Sequence, residues 1–491
     1  MLLPTQNSLT LVVSAVAVGV LLLLVRALTN PLKHVPGPYH SLFTRLPLKW
    51  AILSGRRIYY VDSLHAKYGP FVRISPVEVS VSDAGAFSEI HRVGTSFRKS
   101  DWYHSFTQQK DRFSLLTMTD QRAHASRRRL FARPLSHSFL LDNWHDFIAE
   151  KARLAAQEIH YAATTGERKA NVLDWFTFMA NDVVGRLMYG QSFGNLERGT
   201  ASLMMENVMT RVKVGVIAEE LPIIKAVAAL FDYLPQRMAP LLFQSHSRGK
   251  QYGAESTQSI KSSQESTNIF HIIASEAEKG DVLDDEDIQT EAITFTVAGT
   301  DTTGVSLAYL VWCVLSRPDL QAKLENEVAG LPDNYRDSDV ERLPLLNAIL
   351  AESLRLYTAA PGTLPRVVPS TGVIMGGLSL PPSTIVSTQA YTYHRDPKLF
   401  PNPHEFLPSR WLDGQVSPAA KKIYHPLGAG SRSCVGIHLA YMEMRLAIAE
   451  FFRVCRGARL ADSCTPESME MENHFLVTPI AHKCEIVLPE V

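Results

Sequence analysis

The stretch LGAGSRSCVG, residues 427–436, places a single cysteine between a glycine-rich loop and the start of a predicted helix. Apolar side chains such as Leu439, Met442 and Leu446 recur there at three- and four-residue spacing, which predicts the helix. Backbone amides and the dipole at a helix start favour a thiolate, and glycines let the backbone approach a bulky partner closely. The pattern indicates that Cys434 is a metal-ligating thiolate.

The remaining cysteines narrow the choice of metal site. These four residues are Cys313, Cys455, Cys464 and Cys484, and they form neither a CxxC pair nor a Cys/His spacing typical of zinc sites. A single open thiolate is typical of a haem iron rather than of zinc. An isolated cysteine is also commonly a small buried apolar residue, and spacing alone leaves that alternative open. The sparse, odd set argues against a disulfide framework and favours a reducing compartment.

Length and charge set broad limits on the chain. Its 491 residues correspond to about three domains by length, but no clear linker or internal repeat divides the sequence. The 49 Lys and Arg residues balance the 49 Asp and Glu residues. This balance gives no general attraction to nucleic acid, so no nucleic-acid partner is predicted.

The first residues of the chain predict a membrane anchor. No side chain in residues 1–25 is charged, and residues 9–25 are almost wholly apolar over roughly 25 Å of helix. Basic residues follow at Arg26 and Lys33, which predicts a single-pass helix with the rest of the chain on the cytosolic side. The expected units are a membrane anchor (1–28), a proline-rich hinge (29–40) and a globular catalytic body (41–491).

The periodicity of the body predicts long helices with small sheets, which is a mainly α fold. Three stretches predict strands by their alternation or strand-like composition: 71–82, 367–373 and 485–488. The longest helical run begins at the acidic residues 284–287 and ends before Pro318. A polar loop is expected from about residue 250 to residue 268.

A second signal lies inside the longest helical run, in the sequence AGTDTT of residues 298–303. Glycine within a helix costs about 1 kcal/mol relative to alanine, and threonine side chains can bond a carbonyl one turn back and bend the helix. Small residues with hydroxyls and one acid predict a polar notch in an otherwise apolar helix. Close helix packing through the small residues is the alternative interpretation.

A third signal is Glu352-Ser353-Leu354-Arg355, which apolar residues flank on both sides. A glutamate and an arginine three residues apart lie on one helix face and can pair. On a surface such a pair contributes only about 0.2–0.5 kcal/mol, but apolar flanks predict burial, where each charge requires further partners. Arg410 is the candidate third member of this cluster.

These three signals, in this order and with these separations, resemble the cytochrome P450 family of haem-thiolate monooxygenases. The resemblance covers nearly the whole chain after the hinge, and the predicted anchor is similar to that of microsomal members. It implies one mainly α domain with small β-sheets, the cytochrome P450 fold, preceded by one N-terminal transmembrane helix. The overall pattern is most similar to that of fungal members that serve secondary metabolism.

The resemblance also implies roles for individual residues. Cys434 corresponds to the axial thiolate of the haem iron, whose electron donation favours O–O cleavage. Thr302 and Asp301 correspond to the residues that deliver protons to dioxygen. Four residues correspond to partners of the haem propionates: Arg432, His124, Arg128 and Arg366. This sequence departs from the family pattern at Leu427, which replaces a phenylalanine, and at His124, which replaces the more frequent tryptophan.

Electrons must come from another protein, because the sequence carries no flavin- or dinucleotide-binding fingerprint such as GxGxxG. The resemblance implies an NADPH-dependent flavoprotein reductase on the endoplasmic-reticulum membrane, with O2 as the co-substrate. Five basic residues are either a docking face for this reductase or a solvated helix surface: Arg127, Arg129, Arg133, Lys421 and Lys422.

The substrate is expected to be a lipophilic small molecule, such as a terpenoid, polyketide or alkaloid. The segments that form the family's substrate pocket are mostly apolar and aromatic here. They contain Phe97, Trp102, Tyr103, Phe106, Phe295, Val297, Gly362, Thr363, Leu364 and Phe475.

Two alternative functions belong to other classes. A haem-thiolate isomerase or dehydratase rearranges peroxides without a reductase, but such members usually lack the acid–threonine pair present here as Asp301 and Thr302. A non-catalytic haem- or lipid-binding membrane protein has no need of a proton relay beside the iron. The sequence therefore favours a monooxygenase that inserts one oxygen atom into an apolar substrate.

Overall fold

The computed structural model describes residues 6–107, 111–202, 205, 217, 220, 221, 268–276 and 283–489. Within these residues the predicted class, mainly α with small sheets, is confirmed. The helices are α1 (Gln6–Thr29), α2 (Leu46–Leu53), α3 (Arg57–Tyr68), α4 (Ala84–His91), α5 (Gln121–Ala132), α6 (His137–Asn143), α7 (His145–Thr164), α8 (Val172–Tyr189), α9 (Asn195–Arg198), α10 (Ile269–Glu276), α11 (Asp285–Leu315), α12 (Pro318–Ala329), α13 (Asp337–Val340), α14 (Pro344–Tyr357), α15 (Ala390–Tyr393), α16 (Ser409–Leu412), α17 (Pro418–Ile423) and α18 (Ile437–Val454). The strands are β1 (Phe71–Ser75), β2 (Glu78–Val81), β3 (Arg98–Lys99), β4 (Ala170–Asn171), β5 (Arg366–Val367), β6 (Val373–Met375), β7 (Leu378–Leu380), β8 (Ile385–Thr388), β9 (Arg459–Leu460), β10 (Met471–Asn473), β11 (Val477–Pro479) and β12 (Glu485–Val487). The polar loop expected around 250–268 lies, apart from its last residue, outside the described residues.

The largest sheet has five strands in the order β1-β2-β8-β5-β3. β2 and β8 pair in parallel, and the other neighbours pair antiparallel. The prediction of strands within 71–82 is confirmed, because β1 and β2 form an antiparallel pair there with almost all side chains buried. β12 joins β4 and β9 in a second sheet, whereas β10–β11 and β6–β7 are two-stranded.

The central helix α11 begins and ends where the sequence predicts. Asp284 caps the helix by accepting a hydrogen bond from the Asp287 N–H (2.7 Å), and its acidic neighbours complement the positive end of the helix dipole. The helix stops at Leu315, before Pro318. Together with α7, α8, α14 and α18, it encloses one continuous apolar core.

α11 packs most extensively against α8, and two glycines make this close contact possible. A Cβ atom on Gly299 would lie 2.4 Å from Val184 Cγ2. A Cβ atom on Gly304 would lie 2.3 Å from Thr177 Oγ1. Gly299 belongs to the predicted notch, so the notch serves helix packing on the side that faces α8.

The predicted Glu352 cluster is confirmed and is buried. Glu352 accepts hydrogen bonds from Arg355 Nε and Nη2 (2.9 Å each) and from Arg410 Nε (3.0 Å). The Leu407 N–H (2.9 Å) and Trp411 Nε1 (2.8 Å) complete its contacts. Burial by itself would raise the pKa of the Glu352 carboxyl, but these donors, above all Arg355, lower it overall.

The same cluster fixes an irregular segment that leads toward the cysteine loop. Arg355 Nη1 donates to the carbonyls of His394 and Pro403 (2.7 Å each), and Arg355 Nη2 donates to that of Glu405 (3.0 Å). These carbonyls belong to no helix or strand, and the buried guanidinium of Arg355 supplies the hydrogen bonds that they would otherwise lack. The cluster holds residues 394–405 against α14.

We expect Glu352→Gln to reduce the free energy of unfolding by about 3–5 kcal/mol, because it leaves two buried guanidinium groups without a counter-charge. Urea unfolding of the purified protein measures this loss. Glu470→Gln is the matched control, since Glu470 forms an exposed 2.6 Å ion pair with Arg56 that should contribute at most about 1 kcal/mol. Equal effects of the two substitutions would contradict a structural role for Glu352.

The N-terminal helix corrects one prediction. α1 occupies the expected anchor region, and apolar side chains such as Leu11, Leu22 and Leu28 are exposed along it. In the part of the chain that the structure describes, however, no helix is both long and apolar enough to cross a membrane. The spanning helix predicted within residues 1–28 is therefore not supported. Its apolar stretch covers about 25 Å, less than the roughly 30 Å hydrocarbon core of a typical bilayer.

The segment predicted as a hinge is attached to the globular body. Leu32 and Val35 are buried in the apolar cluster of the five-stranded sheet. Arg73 in β1 donates hydrogen bonds to their carbonyls (2.9 and 2.7 Å) and to that of Pro38 (3.3 Å). Packing of the body therefore begins before residue 41.

Candidate functional site

Two glycines shape the loop that carries Cys434. Gly428 (φ 75°) and Gly430 (φ 62°) both adopt the left-handed backbone conformation. A Cβ atom on Gly430 would lie 1.7 Å from the carbonyl oxygen of His91, so only glycine lets the loop lie against the end of α4. The Cys434 N–H donates to the Leu427 carbonyl (2.8 Å) and closes the loop.

The Cys434 thiol lies just before α18, which begins three residues later at Ile437. The Gly436 N–H points at its sulfur, as expected near a helix start. The thiol is open to a cavity although it lies deep in the protein. This depth raises the pKa of Cys434, while the Gly436 N–H and the Arg128 guanidinium act in the opposite direction.

The cavity next to Cys434 has a volume of about 460 Å³, within the range of small-molecule sites. Its mostly apolar wall comes from α11, α14, α18, the segment that follows α14, the cysteine loop, residues 105–107, Leu116 and the segment between β10 and β11. Prominent members of the wall are Phe106, Leu116, Val297, Leu364, Phe475 and Leu476. Thr302 also lines it, so the notch of α11 and the cysteine border one space.

Five basic side chains gather beside this cavity. They are Lys99, His124, Arg128, Arg366 and Arg432. Burial, followed by the charges of the four neighbours, lowers the pKa of His124 to about 3. In the described part of the chain none of the five pairs with a carboxylate, and the buried Nε of Arg366 has no hydrogen-bond partner. Buried cations without a counter-charge indicate that an anionic group completes the cluster.

The sequence does not predict Lys99 as a member of this cluster. Lys99 in β3 lies directly opposite Arg366 in β5. Burial, Arg432 and Arg366 all lower its pKa well below the usual value. Its Nζ donates to the Leu116 carbonyl (2.6 Å) and lies 4.0 Å from the centre of the Tyr103 ring. Like charges that face each other across two strands destabilise a sheet unless an anion binds between them.

Backbone carbonyls hold two of the arginines in place. Arg432 Nη1 donates to the Met118 carbonyl (2.8 Å), and Arg128 Nη1 donates to the Ser433 carbonyl (2.7 Å). Burial, and then the charge of Arg366, lowers the pKa of Arg432 to about 10. Arg432 therefore keeps its positive charge at neutral pH.

The notch of α11 places the hydroxyl of Thr302 at the cavity wall, whereas the neighbouring acid, Asp301, is not among the residues that line the cavity. Thr302 Oγ1 donates to the Ala298 carbonyl one turn back (2.7 Å), and both residues line the wall. Oδ1 of Asp301 is buried without a hydrogen-bond partner, although part of the residue is exposed. Burial raises the pKa of Asp301 to about 7. Asp301 therefore changes its protonation near neutral pH.

A second buried acid, Glu443 of α18, is not predicted from the sequence. Its Oε2 accepts a hydrogen bond from Thr303 Oγ1 (3.1 Å), and its Oε1 has no partner. Burial raises the pKa of Glu443 to about 8, so its carboxyl is protonated at neutral pH. The available signal was a lone acid between Met442 and Met444 on an apolar helix face.

The predicted pocket residues divide into two groups. Phe106, Val297, Leu364 and Phe475 line the cavity. The other predicted residues are outside its wall: Phe97, Trp102, Tyr103, Phe295, Gly362 and Thr363. Trp102 contacts the rings of Phe106 and Phe475, with ring centres 5.0 and 5.8 Å away, and so supports the wall.

Arg127 is not available for the predicted docking face. Its guanidinium pairs with Asp287 and Glu291 at 3.0 Å each and is mostly buried. Glu291 also accepts a hydrogen bond from the Leu115 N–H (3.0 Å), so it ties both α5, through Arg127, and the segment before α5 to α11. The other basic residues of the predicted face are exposed: Arg129, Arg133, Lys421 and Lys422.

A sequence profile described as Cytochrome P450 matches residues 36–485. The chain belongs to the cytochrome P450 family. The cytochrome P450 monooxygenase stcB of Emericella nidulans is 39% identical over 471 residues, which cover 94% of this chain and 89% of that protein. The cytochrome P450 monooxygenase cypX of Dothistroma septosporum is 38% identical over 500 residues, which cover 99% of this chain and 96% of that protein. A methylphloroacetophenone oxidase of Cladonia uncialis is 32% identical over 397 residues, which cover 77% of this chain and 85% of that protein.

Membership in the cytochrome P450 family confirms the predicted reaction class. The protein is a haem-thiolate monooxygenase that uses O2 and a redox partner to oxidise a small molecule. The described residues fit this cofactor. A thiol opens to the cavity, and the two propionates of haem would supply the anions that the five basic residues lack among the described residues.

We expect Lys99→Met to weaken haem retention about 10- to 100-fold, because a charge-assisted hydrogen bond contributes about 1.5–3 kcal/mol. The stability of the haem-free protein should stay constant or rise, because a buried charge opposite Arg366 is removed. Haem transfer to apomyoglobin measures retention, and urea unfolding of the haem-free protein measures stability. Lys67→Met is the exposed control. Loss of stability in step with retention would show that Lys99 serves the fold instead.

Proposed function

We propose that this cytochrome P450 is attached to the endoplasmic-reticulum membrane, receives electrons from an NADPH-dependent flavoprotein reductase, and oxidises a lipophilic small molecule in secondary metabolism. One observation carries the proposal. A single apolar cavity is bordered by Cys434 and by Thr302, and a cluster of unpaired basic residues lies beside it.

Cys434 is the proposed axial ligand of the haem iron. The bound haem supplies O2 activation, which thiolate donation favours. The proposed propionate partners are Lys99, His124, Arg128, Arg366 and Arg432. Arg128 also bonds the Ser433 carbonyl, so one residue joins the basic cluster to the chain beside the ligand.

Asp301 and Thr302 are the proposed proton-delivering residues. A carboxyl with a pKa of about 7 can both release and take up a proton at neutral pH, which suits general acid–base work. The bond from Thr302 Oγ1 to the Ala298 carbonyl holds the hydroxyl at the cavity wall. Thr303, the next residue of α11, forms a second hydroxyl–acid pair with the protonated Glu443 of α18.

We expect Thr302→Ala to lower product formation by a factor on the order of 10², as for loss of positioned proton transfer, while NADPH consumption continues. Product formed per NADPH consumed, in the presence of purified reductase, measures this coupling. Ser306→Ala is the control, because Ser306 also lines the cavity but its hydroxyl donates to the Thr302 carbonyl (2.7 Å). An unchanged product yield in Thr302→Ala would refute the assigned role.

The CO difference spectrum of the reduced holoprotein tests the ligand assignment. We expect the thiolate-type spectrum of the wild type to be absent from Cys434→Ala, because no other cysteine among the described residues lines the cavity. Cys313→Ala is the control, since Cys313 is buried in α11 and should leave the spectrum unchanged. Persistence of the spectrum in Cys434→Ala would overturn the assignment.

The proposed membrane attachment rests on α1 and the residues that follow it. The exposed apolar side chains that the structure describes in α1, between Leu11 and Leu28, are stable in lipid rather than in water. Arg26 and Lys33 follow the apolar stretch and favour a cytosolic position for the body. The exposed basic residues Arg129, Lys421 and Lys422 are the proposed contacts for an acidic surface of the reductase.

The proposed substrate is an aromatic molecule that carries oxygen substituents. The rings of Phe106 and Phe475 in the cavity wall suit an aromatic partner. Thr107 also lines the cavity, and its buried Oγ1 has no hydrogen-bond partner, so a substrate hydroxyl or carbonyl can supply one. One relative is named for oxidising methylphloroacetophenone, which is a molecule of this kind.

A further inference from the structure

Two cysteines outside the cavity wall lie side by side next to the sheet formed by β4, β12 and β9. β9 and β12 pair antiparallel, and the Ala461 N–H extends the pairing to the Glu485 carbonyl (2.9 Å). Ser463 bonds the Glu485 side chain, which holds the turn after β9 against the start of β12. The sulfurs of Cys464 and Cys484 are 3.8 Å apart as a result.

The two thiols differ in environment in the way a reactive pair requires. Cys464 is partly exposed, whereas Cys484 is fully buried. The hydrogen bond with Cys484, followed by the Glu485 N–H, lowers the pKa of Cys464. The same contact and burial raise the pKa of Cys484. Cys464 is therefore the accessible nucleophile and Cys484 the adjacent resolving thiol.

We propose that Cys464 and Cys484 form a dithiol that hydrogen peroxide oxidises to an intramolecular disulfide. The Cys464 thiolate attacks the O–O bond, which yields a sulfenic acid and, after protonation, one water. Cys484 then attacks the Cys464 sulfur, the S–S bond forms and a second water leaves. Two thiols are oxidised and one peroxide is reduced to two waters. Closure requires the sulfurs to approach by about 1.8 Å, from contact distance to bond length.

The disulfide would enclose the part of the chain that forms one wall of the cavity. Residues 465–483 contain β10 and β11, and the connection between these strands carries Phe475 and Leu476. Cys484 Sγ also lies 3.8 Å from the carbonyl of Ala308 in α11. A covalent link at the base of the β10–β11 pair restricts the motion of this wall. Oxidation of the two cysteines does not depend on the proposed function. Only the effect that a restricted cavity wall has on the substrate rests on that function.

Thiol counting on the full-length holoprotein tests the proposal. The reduced protein is exposed briefly to hydrogen peroxide, quenched with catalase, denatured and alkylated. We expect the alkylated cysteines of the wild type to fall from five to three, and dithiothreitol to restore all five. Peptide mapping should find one linked peptide that contains Cys464 and Cys484. Hydrogen exchange at β10 and β11 should be slower in the oxidised protein.

Two variants make the result specific. Cys464→Ser should show four alkylated cysteines before and after peroxide. Cys455→Ser, which removes a buried cysteine elsewhere in the core, should fall from four to two. Five intact thiols in the peroxide-treated wild type, a stable sulfenic acid at Cys464, or a link to any other cysteine would each overturn the proposal. The CO difference spectrum, measured in parallel, reports separately on the haem site.

Discussion

The buried carboxylate of Glu352 is the contact on which the architecture of the site depends. Its removal from water is balanced by five hydrogen bonds, three of them from guanidinium groups. Through Arg355, the same cluster fixes carbonyls of residues 394–405, which have no regular secondary structure to hold them. His394 in this segment accepts a hydrogen bond from the N–H of His425 (3.3 Å), two residues before the cysteine loop, so the charge cluster helps to constrain the position of the thiol.

The basic residues beside the cavity have the opposite character, because they are not balanced by the protein. Lys99 faces Arg366 across two strands, and four basic residues surround His124, whose imidazole is neutral because its pKa is lowered to about 3. This arrangement costs stability in the absence of an anion and recovers it when one binds. On the proposed assignment, haem binding and folding would be coupled through electrostatics as well as through the thiolate.

The features that the sequence predicts correctly depend on local pattern. The β1–β2 pair follows from alternation, α11 from its acidic start and the proline beyond its end, and the Glu352–Arg355 pair from helical spacing. The features it does not predict depend on contacts between distant segments. Alternation places Lys99 on the same face as Phe97, but only the pairing of β3 with β5 brings it to Arg366. Likewise, the helix face that carries Arg127 gives no sign of the carboxylates opposite it on α11.

The close contact between α11 and α8 also limits how this active site can be changed. Gly299 and Gly304 leave no free space behind α11, so the helix cannot retreat to admit a bulkier molecule. A larger or smaller reaction chamber must come from other parts of the wall, such as residues 105–107 and the turn that carries Phe475. Divergence and engineering of substrate range should therefore concentrate in these two segments, while the α11 side of the cavity keeps its shape.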